Sequence, residues 1–161
     1  MSQRTPECAT GSRHEIYLQP GRVVATAEPS LLRTILGSCV AICLFDPLLP
    51  AGGMNHYLLP HRLGGDGESA RFAAPALARL IAAMLDLGSR KSRLRSKVFG
   101  GACVLQPSAP SGADLGARNA ALAFDLLAEE RIPVIAHDVG GSHSRKLLFR
   151  TDDGAAFVRR L

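Results

Sequence analysis

The stretch Thr34-Ile-Leu-Gly-Ser-Cys-Val-Ala-Ile-Cys-Leu-Phe-Asp-Pro47 decides how this chain folds. Ile35, Val40, Ile42 and Phe45 make Thr34 to Phe45 β-prone, and Asp46-Pro47 stops it with two turn-forming residues. Pro50 and Gly52-Gly53 continue a turn-rich connection, after which Met54 to Leu59 reads as a returning strand ended by Pro60. These two strands can form an antiparallel hairpin across the 46–53 connection.

Upstream, Glu15–Leu18 and Arg22–Thr26 read as short strands separated by the Pro20-Gly21 turn. Downstream, His61–Ser69 is a polar, Gly-rich loop. Leu77, Leu80, Ile81, Met84 and Leu85 then recur at helical spacing, with Pro75 in the first turn and Gly88 just past the end. Lys97–Leu105 reads as a strand with Gly100-Gly101 as a bulge or point of close approach. A second helix is expected from about Arg118 to Glu130, burying Leu122, Ala123, Leu126 and Leu127. Ile132–His137 is a strand, Asp138 to Gly141 a turn, and Lys146–Arg150 with Ala155–Arg159 a hairpin around Asp152-Asp153-Gly154. Grouped strands and two helices predict an α+β domain rather than a doubly wound sheet.

The 161 residues suit one domain, read as 14–161 behind a flexible tail at 1–13. Aromatic residues are only 5% and Trp is absent, so the core must be mostly aliphatic. No apolar run is long enough to span a bilayer and Met1–Ser12 has no apolar signal core, which predicts a cytoplasmic protein with no membrane insertion. The cysteines Cys8, Cys39, Cys43 and Cys103 form no CxxC pair and no zinc-like cluster, so a reduced state without metal is expected. The net charge of +5 is densest at Arg90, Lys91, Arg93, Arg95 and Lys97. That run reads as a solvated loop leading into a strand, or else as a docking patch for an acidic protein. It has no aromatic residues for base stacking, which argues against nucleic acid. The Gly-rich stretches match no phosphate or dinucleotide fingerprint, so no cofactor is assigned.

Chemistry concentrates at Leu36-Gly-Ser-Cys-Val40. A cysteine follows a glycine at the opening of a strand, where Gly37 lets the backbone bend and the N–H groups of Ser38 and Cys39 can form an oxyanion site. A thiol needs a base, and His56 on the returning strand is placed to supply one. A turn centred near Pro50 would put Cys39 opposite Pro60, so contact with His56 requires a bulge or a wider arrangement. On residue type and spacing alone, a cysteine in an apolar strand is more often a small buried hydrophobe, as Cys43 and Cys103 are read here.

The pieces Leu36-Gly-Ser-Cys-Val40 with Asp46-Pro47, Gly52-Gly-Met-Asn-His-Tyr-Leu-Leu-Pro60, Lys97-Val-Phe-Gly-Gly-Ala102, Gly116-Ala-Arg-Asn119 and Asp138-Val-Gly-Gly141 before Arg145-Lys146 together resemble the chemoreceptor glutamine deamidases, the CheD family. The resemblance spans roughly Ile16 to Leu161. It implies mixed β-sheets in a sandwich-like core with helices outside. It also implies a Cys39–His56 pair with Thr34 as third member, orienting the imidazole. The implied reaction converts receptor glutamine to glutamate through a thioester, with no metal or cofactor, and extends to glutamyl methyl esters. The implied partners are the cytoplasmic domains of methyl-accepting chemotaxis receptors and a CheC-type phosphatase. Two other readings stand beside it. One is a non-catalytic regulator binding the receptors and the phosphatase; the other is a redox-sensitive thiol protein using Cys39 and Cys43.

Overall fold

A computed structural model describes residues 12–61, 68–104 and 115–161. Among these residues there are nine strands and two α-helices, in the order β1 (His14–Tyr17), β2 (Val23–Thr26), β3 (Ser30–Leu36), β4 (Val40–Asp46), β5 (Ala51–Asn55), α1 (Ala73–Asp86), β6 (Arg95–Gly100), α2 (Leu115–Glu129), β7 (Val134–Val139), β8 (Arg145–Arg150) and β9 (Ala156–Arg160). A first sheet runs β1-β3-β8-β9 and a second runs β2-β5-β4-β6-β7, each mixing parallel and antiparallel pairs. The α+β reading with two helices holds. Most of the expected tail, Met1 to Gly11, lies outside the described residues, as do Cys8, most of the His61–Ser69 loop, and Leu105.

The layers follow from which faces are apolar. Leu32, Leu36, Ala41, Cys43, Met54, Phe99, Leu147 and Phe149 fill the space between the sheets. Val40, Ile42, Leu44, Leu77, Leu80, Met84, Ala123 and Leu127 fill the space between the second sheet and the helices. The second sheet is thus covered on both sides, and all seven residues of β4 are buried. This explains why β4 reads as an unbroken apolar run instead of an alternation.

Several expectations change. The stretch Thr34–Phe45 is not one strand: β3 belongs to the first sheet and β4 to the second, and Gly37-Ser38-Cys39 is the corner between them. The Pro20-Gly21 turn separates β1 from β2 as expected, and it carries the chain from one sheet to the other. The returning strand β5 starts at Ala51 and ends at Asn55, with Tyr57 and Leu59 in isolated bridges to Val40 and Phe72. Finally, α2 begins at Leu115 and buries Gly116, Asn119, Ala120, Ala123 and Leu127, while Leu122 and Leu126 are only partly covered. A β-carbon on Gly116 would lie 2.5 Å from the Ala102 carbonyl oxygen, so glycine lets this first turn sit directly on the end of β6.

Candidate active site

The hairpin register decides the geometry. Asp46 pairs with Ala51 and Cys43 with Met54, and the isolated bridge Val40–Tyr57 continues the same register. Position 39 therefore faces 58, and 41 faces 56, which makes Cys39 and His56 diagonal neighbours on one face of the pair. Such neighbours have Cα atoms roughly 7–8 Å apart, with their side chains closer. No bulge is needed, contrary to the expectation. The face they share looks towards the first sheet, where Cys39 packs at the edge of the inter-sheet core.

Thr34 comes from the opposite layer. On β3 it points inward, 1% exposed, and its Oγ1 lies 2.8 Å from His56 Nδ1. The same hydroxyl donates its hydrogen to the Leu18 carbonyl at 2.8 Å. A hydroxyl has one hydrogen to give, so these partners assign Nδ1 as the protonated nitrogen, donating to Thr34. Nε2 then carries the lone pair. It is buried and has no hydrogen-bond partner among the described residues. The main chain of His56 is held as well, its N–H donating to Arg22 and its carbonyl accepting from Gly21.

Burial pushes the His56 pKa down to about 4, and the nearby Leu18 carbonyl, which favours the protonated ring, only partly opposes this. Burial also raises the Cys39 thiol, with its own backbone N–H pulling the other way. Near neutral pH the pair is therefore thiol and neutral imidazole, not thiolate and imidazolium. The stability consequence has a definite sign. The unfolded imidazole takes its proton near the ordinary value of 6.5, the folded one only near 4. Between these values the unfolded chain binds more protons, so stability falls as the pH falls, by up to about 3 kcal/mol. Urea unfolding at pH 7 and pH 4.5 will show this loss, and His56→Gln will remove that share of it. Equal slopes in the two proteins would contradict it.

The corner itself is held from within. The carbonyl of Gly37 accepts from Ala102 N–H at 2.9 Å, that of Cys39 from Gly101 N–H at 2.8 Å, and that of Ser38 from Asn119 Nδ2 at 3.0 Å. A β-carbon on Gly100 would stand 2.2 Å from the Cys39 carbonyl oxygen, and Gly100 has φ +109°, so only glycine suits this close passage. Arg145, 3% exposed, secures the neighbouring turn: it pairs with Asp138 and donates to the Gly100 and Gly140 carbonyls.

Sequence reasoning gave no role to Asn119 or Tyr57. Asn119 Nδ2 also donates to the Leu58 carbonyl at 2.9 Å, and its own main-chain carbonyl accepts from the Tyr57 hydroxyl at 2.5 Å. Its signal was a polar residue inside the expected helix, on the same stripe as Leu122 and Ala123. Cys43 is fully buried between the sheets and its thiol is driven well above the ordinary range, chiefly by desolvation. Among the described residues no group of three or more His, Cys, Asp or Glu is placed to hold a metal ion, and no helix is long and apolar enough to cross a membrane.

The basic run does not border this site. Arg93 pairs with buried Asp46, Lys91 with Glu130, and Lys97 donates to the Gly154 carbonyl. The Arg93–Asp46 pair lies at the far end of β4, roughly 20 Å from Cys39, and Lys97 stands opposite Cys43, four residues along the strand from Cys39.

The profile of the family described as "CheD chemotactic sensory transduction" matches residues 58–160. A "Probable chemoreceptor glutamine deamidase CheD 1" of Anaeromyxobacter dehalogenans is 49% identical over 152 residues, covering 94% of this chain and 87% of the relative. A "Probable chemoreceptor glutamine deamidase CheD" of Stenotrophomonas maltophilia is 44% identical over 144 residues, covering 89% and 72%. A protein of Shewanella oneidensis with the name "Probable chemoreceptor glutamine deamidase CheD 1" is 42% identical over 153 residues, covering 92% and 73%.

Proposed function

This chain belongs to the CheD family, and from that membership we propose that it is a chemoreceptor glutamine deamidase with Cys39 as nucleophile and His56 as general base. One observation carries the residue assignment. His56 is buried with Nδ1 tied to Thr34 and Nε2 unpartnered, on the same face as Cys39 and diagonal to it. A base so arranged suits a thiol that burial keeps protonated.

In this reading the Cys39 proton passes to Nε2 as sulfur bonds to the carboxamide carbon of a receptor glutamine. The carbonyl oxygen takes the negative charge, met by the N–H groups of Ser38 and Cys39 at the Gly37 corner. The C–N bond then breaks, and the nitrogen leaves as ammonia with the proton from Nε2. Water, deprotonated by Nε2, opens the thioester to glutamate and returns the thiol. Thr34 keeps Nε2 as the basic nitrogen throughout. The same site opens a glutamyl methyl ester, with methanol leaving in place of ammonia. The substrate is a receptor's cytoplasmic domain, which places the work in the cytoplasm. A pure regulator binding receptors and a CheC-type phosphatase would have no use for the free Nε2 lone pair.

The test is the intact mass of a receptor cytoplasmic fragment incubated with the protein. Each deamidated glutamine adds roughly one dalton, the difference between acid and amide. Wild type should produce the shift and Cys39→Ala should not. No shift on several receptors, with receptor or phosphatase binding intact, would favour the regulator.

A further inference from the structure

Asn119 has no part in the chemistry described so far, yet its side chain grips the nucleophile's corner. We propose that Asn119 is the positioning residue of the oxyanion site: by holding the Ser38 carbonyl inward it holds the Cys39 N–H outward, where the substrate's carbonyl oxygen takes its charge. The inference rests on Cys39 being the nucleophile of the proposed deamidation.

The argument is that of one rigid plate. The Ser38 carbonyl and the Cys39 N–H belong to a single planar trans peptide and point in opposite directions. A donor fixed on the oxygen therefore fixes the direction of the hydrogen. The bond from Asn119 Nδ2 to Ser38 is 3.0 Å and Asn119 is fully buried in α2, so the donor rests on a rigid element. Hydrogen bonding at the oxygen also polarises the peptide and makes its N–H a better donor. The bond from Ala102 N–H to the Gly37 carbonyl acts in the same way on the Ser38 N–H. Among the described residues, no acceptor on another residue is bonded to the N–H of Ser38 or of Cys39.

Asparagine suits this post because it has two hydrogens and two carbonyls to serve. The second hydrogen goes to Leu58, two residues beyond His56, so one amide group ties the nucleophile's corner to the segment carrying the base. Both neighbours are acceptors, which fixes which way round the amide sits. Aspartate has the same shape but would set an oxygen against both carbonyls. Leucine keeps the branched shape, with bulkier methyl groups, and has no donor.

The experiment separates oxyanion positioning from ordinary packing. Asn119→Asp and Asn119→Leu are compared with wild type and Cys39→Ala in steady-state deamidation of a receptor fragment. The rate at which iodoacetamide alkylates Cys39 is followed in parallel by peptide mass between pH 6 and 9. Alkylation needs the thiol and its base but forms no oxyanion. We expect kcat to fall about 100-fold with KM within about threefold, the loss typical of one oxyanion donor. Alkylation should stay within about threefold of wild type with the same pH midpoint.

An unchanged kcat overturns the proposal. So does a parallel fall of kcat and alkylation, which would mean that Asn119 merely supports the whole site. If neither variant folds, wild type still decides. A receptor peptide whose target glutamine has an aldehyde in place of its side-chain carboxamide forms a thiohemiacetal on Cys39, and the amide proton of Cys39 must then shift downfield; no shift overturns the proposal. Inactive wild type, or Cys39→Ala as active as wild type, removes the deamidase reading itself. Active wild type matched by the Asn119 variants removes only this one.

Discussion

His56→Gln is expected to lower kcat for receptor deamidation about 10,000-fold, and Cys39→Ala combined with His56→Gln is expected to be no slower than Cys39→Ala alone. Burial raises the thiol pKa, so little thiolate exists near neutral pH without a base to receive the proton. Burial also keeps the imidazole neutral, so Nε2 is free to receive it across the physiological range. In the proposed mechanism the two groups act as one unit, so removing either should abolish the same step and removing the second should cost nothing more. Thr34→Val should be milder, about 100-fold. The ring stays in place but loses the acceptor that keeps its proton on Nδ1. The checks are initial rates by intact mass, with near-UV circular dichroism to show that each variant is folded. A His56→Gln protein retaining more than about a tenth of wild-type kcat would show that the thiol finds its base elsewhere.

How far this site could be read from sequence depended on register. Cys39 and His56 were each visible as residue types next to glycines and strand ends, but their relation was not. A turn centred near Pro50 puts Cys39 opposite Pro60. The actual turn closes earlier because the Asp46 carboxylate accepts from the N–H groups of Leu48 and Leu49, and Asp46 pairs directly with Ala51. That moves the partner of position 39 to 58 and brings His56 to the diagonal. Thr34 lies on another strand of another sheet, and nothing local to the sequence announces that β3 folds over β5. Asn119 is a similar case, since it acts on a corner far away in sequence, through bonds that only the packing of α2 creates.

The fold was legible in kind and not in its changes of layer. The periodicity of Leu77 to Met84 specified α1 well, although Leu85, on the same stripe, is 41% exposed at the helix end. The run from Thr34 to Phe45 hid a change of sheet. Both of its halves are rich in β-formers, and a corner at Gly37 looks like a bulge from within the sequence. The charge run at Arg90–Lys97 reads as solvated or as a docking surface because its partners, Asp46, Glu130 and the Gly154 carbonyl, are distant in the chain.

Asp46 leads to the largest effect expected on stability. Asp46→Asn should cost about 3 kcal/mol of unfolding free energy at pH 7, although it alters no group near Cys39. Asp46 is 2% exposed, and its carboxylate accepts from Ser89 Oγ at 2.6 Å, from Arg93, and from the N–H groups of Leu48 and Leu49. Burial alone would raise its pKa, but these four donors outweigh burial and hold the carboxyl well below the usual range. An asparagine offers one acceptor oxygen in place of two, turns an N–H₂ group towards Arg93 or Ser89, and leaves the guanidinium without its counter-charge. The sign with pH follows. A carboxylate with a depressed folded pKa contributes stability above its ordinary value of 3.8 and loses it as the pH falls below that value. The gap between wild type and Asp46→Asn should therefore be full at pH 7 and shrink below about pH 4 as wild type loses its advantage. Urea unfolding across that range measures it, and a gap under about 1 kcal/mol at pH 7 would mean that the cluster is solvated and weak. Alkylation of Cys39 in the folded variant should match wild type, because the cluster sits at the far end of β4 from the Gly37 corner.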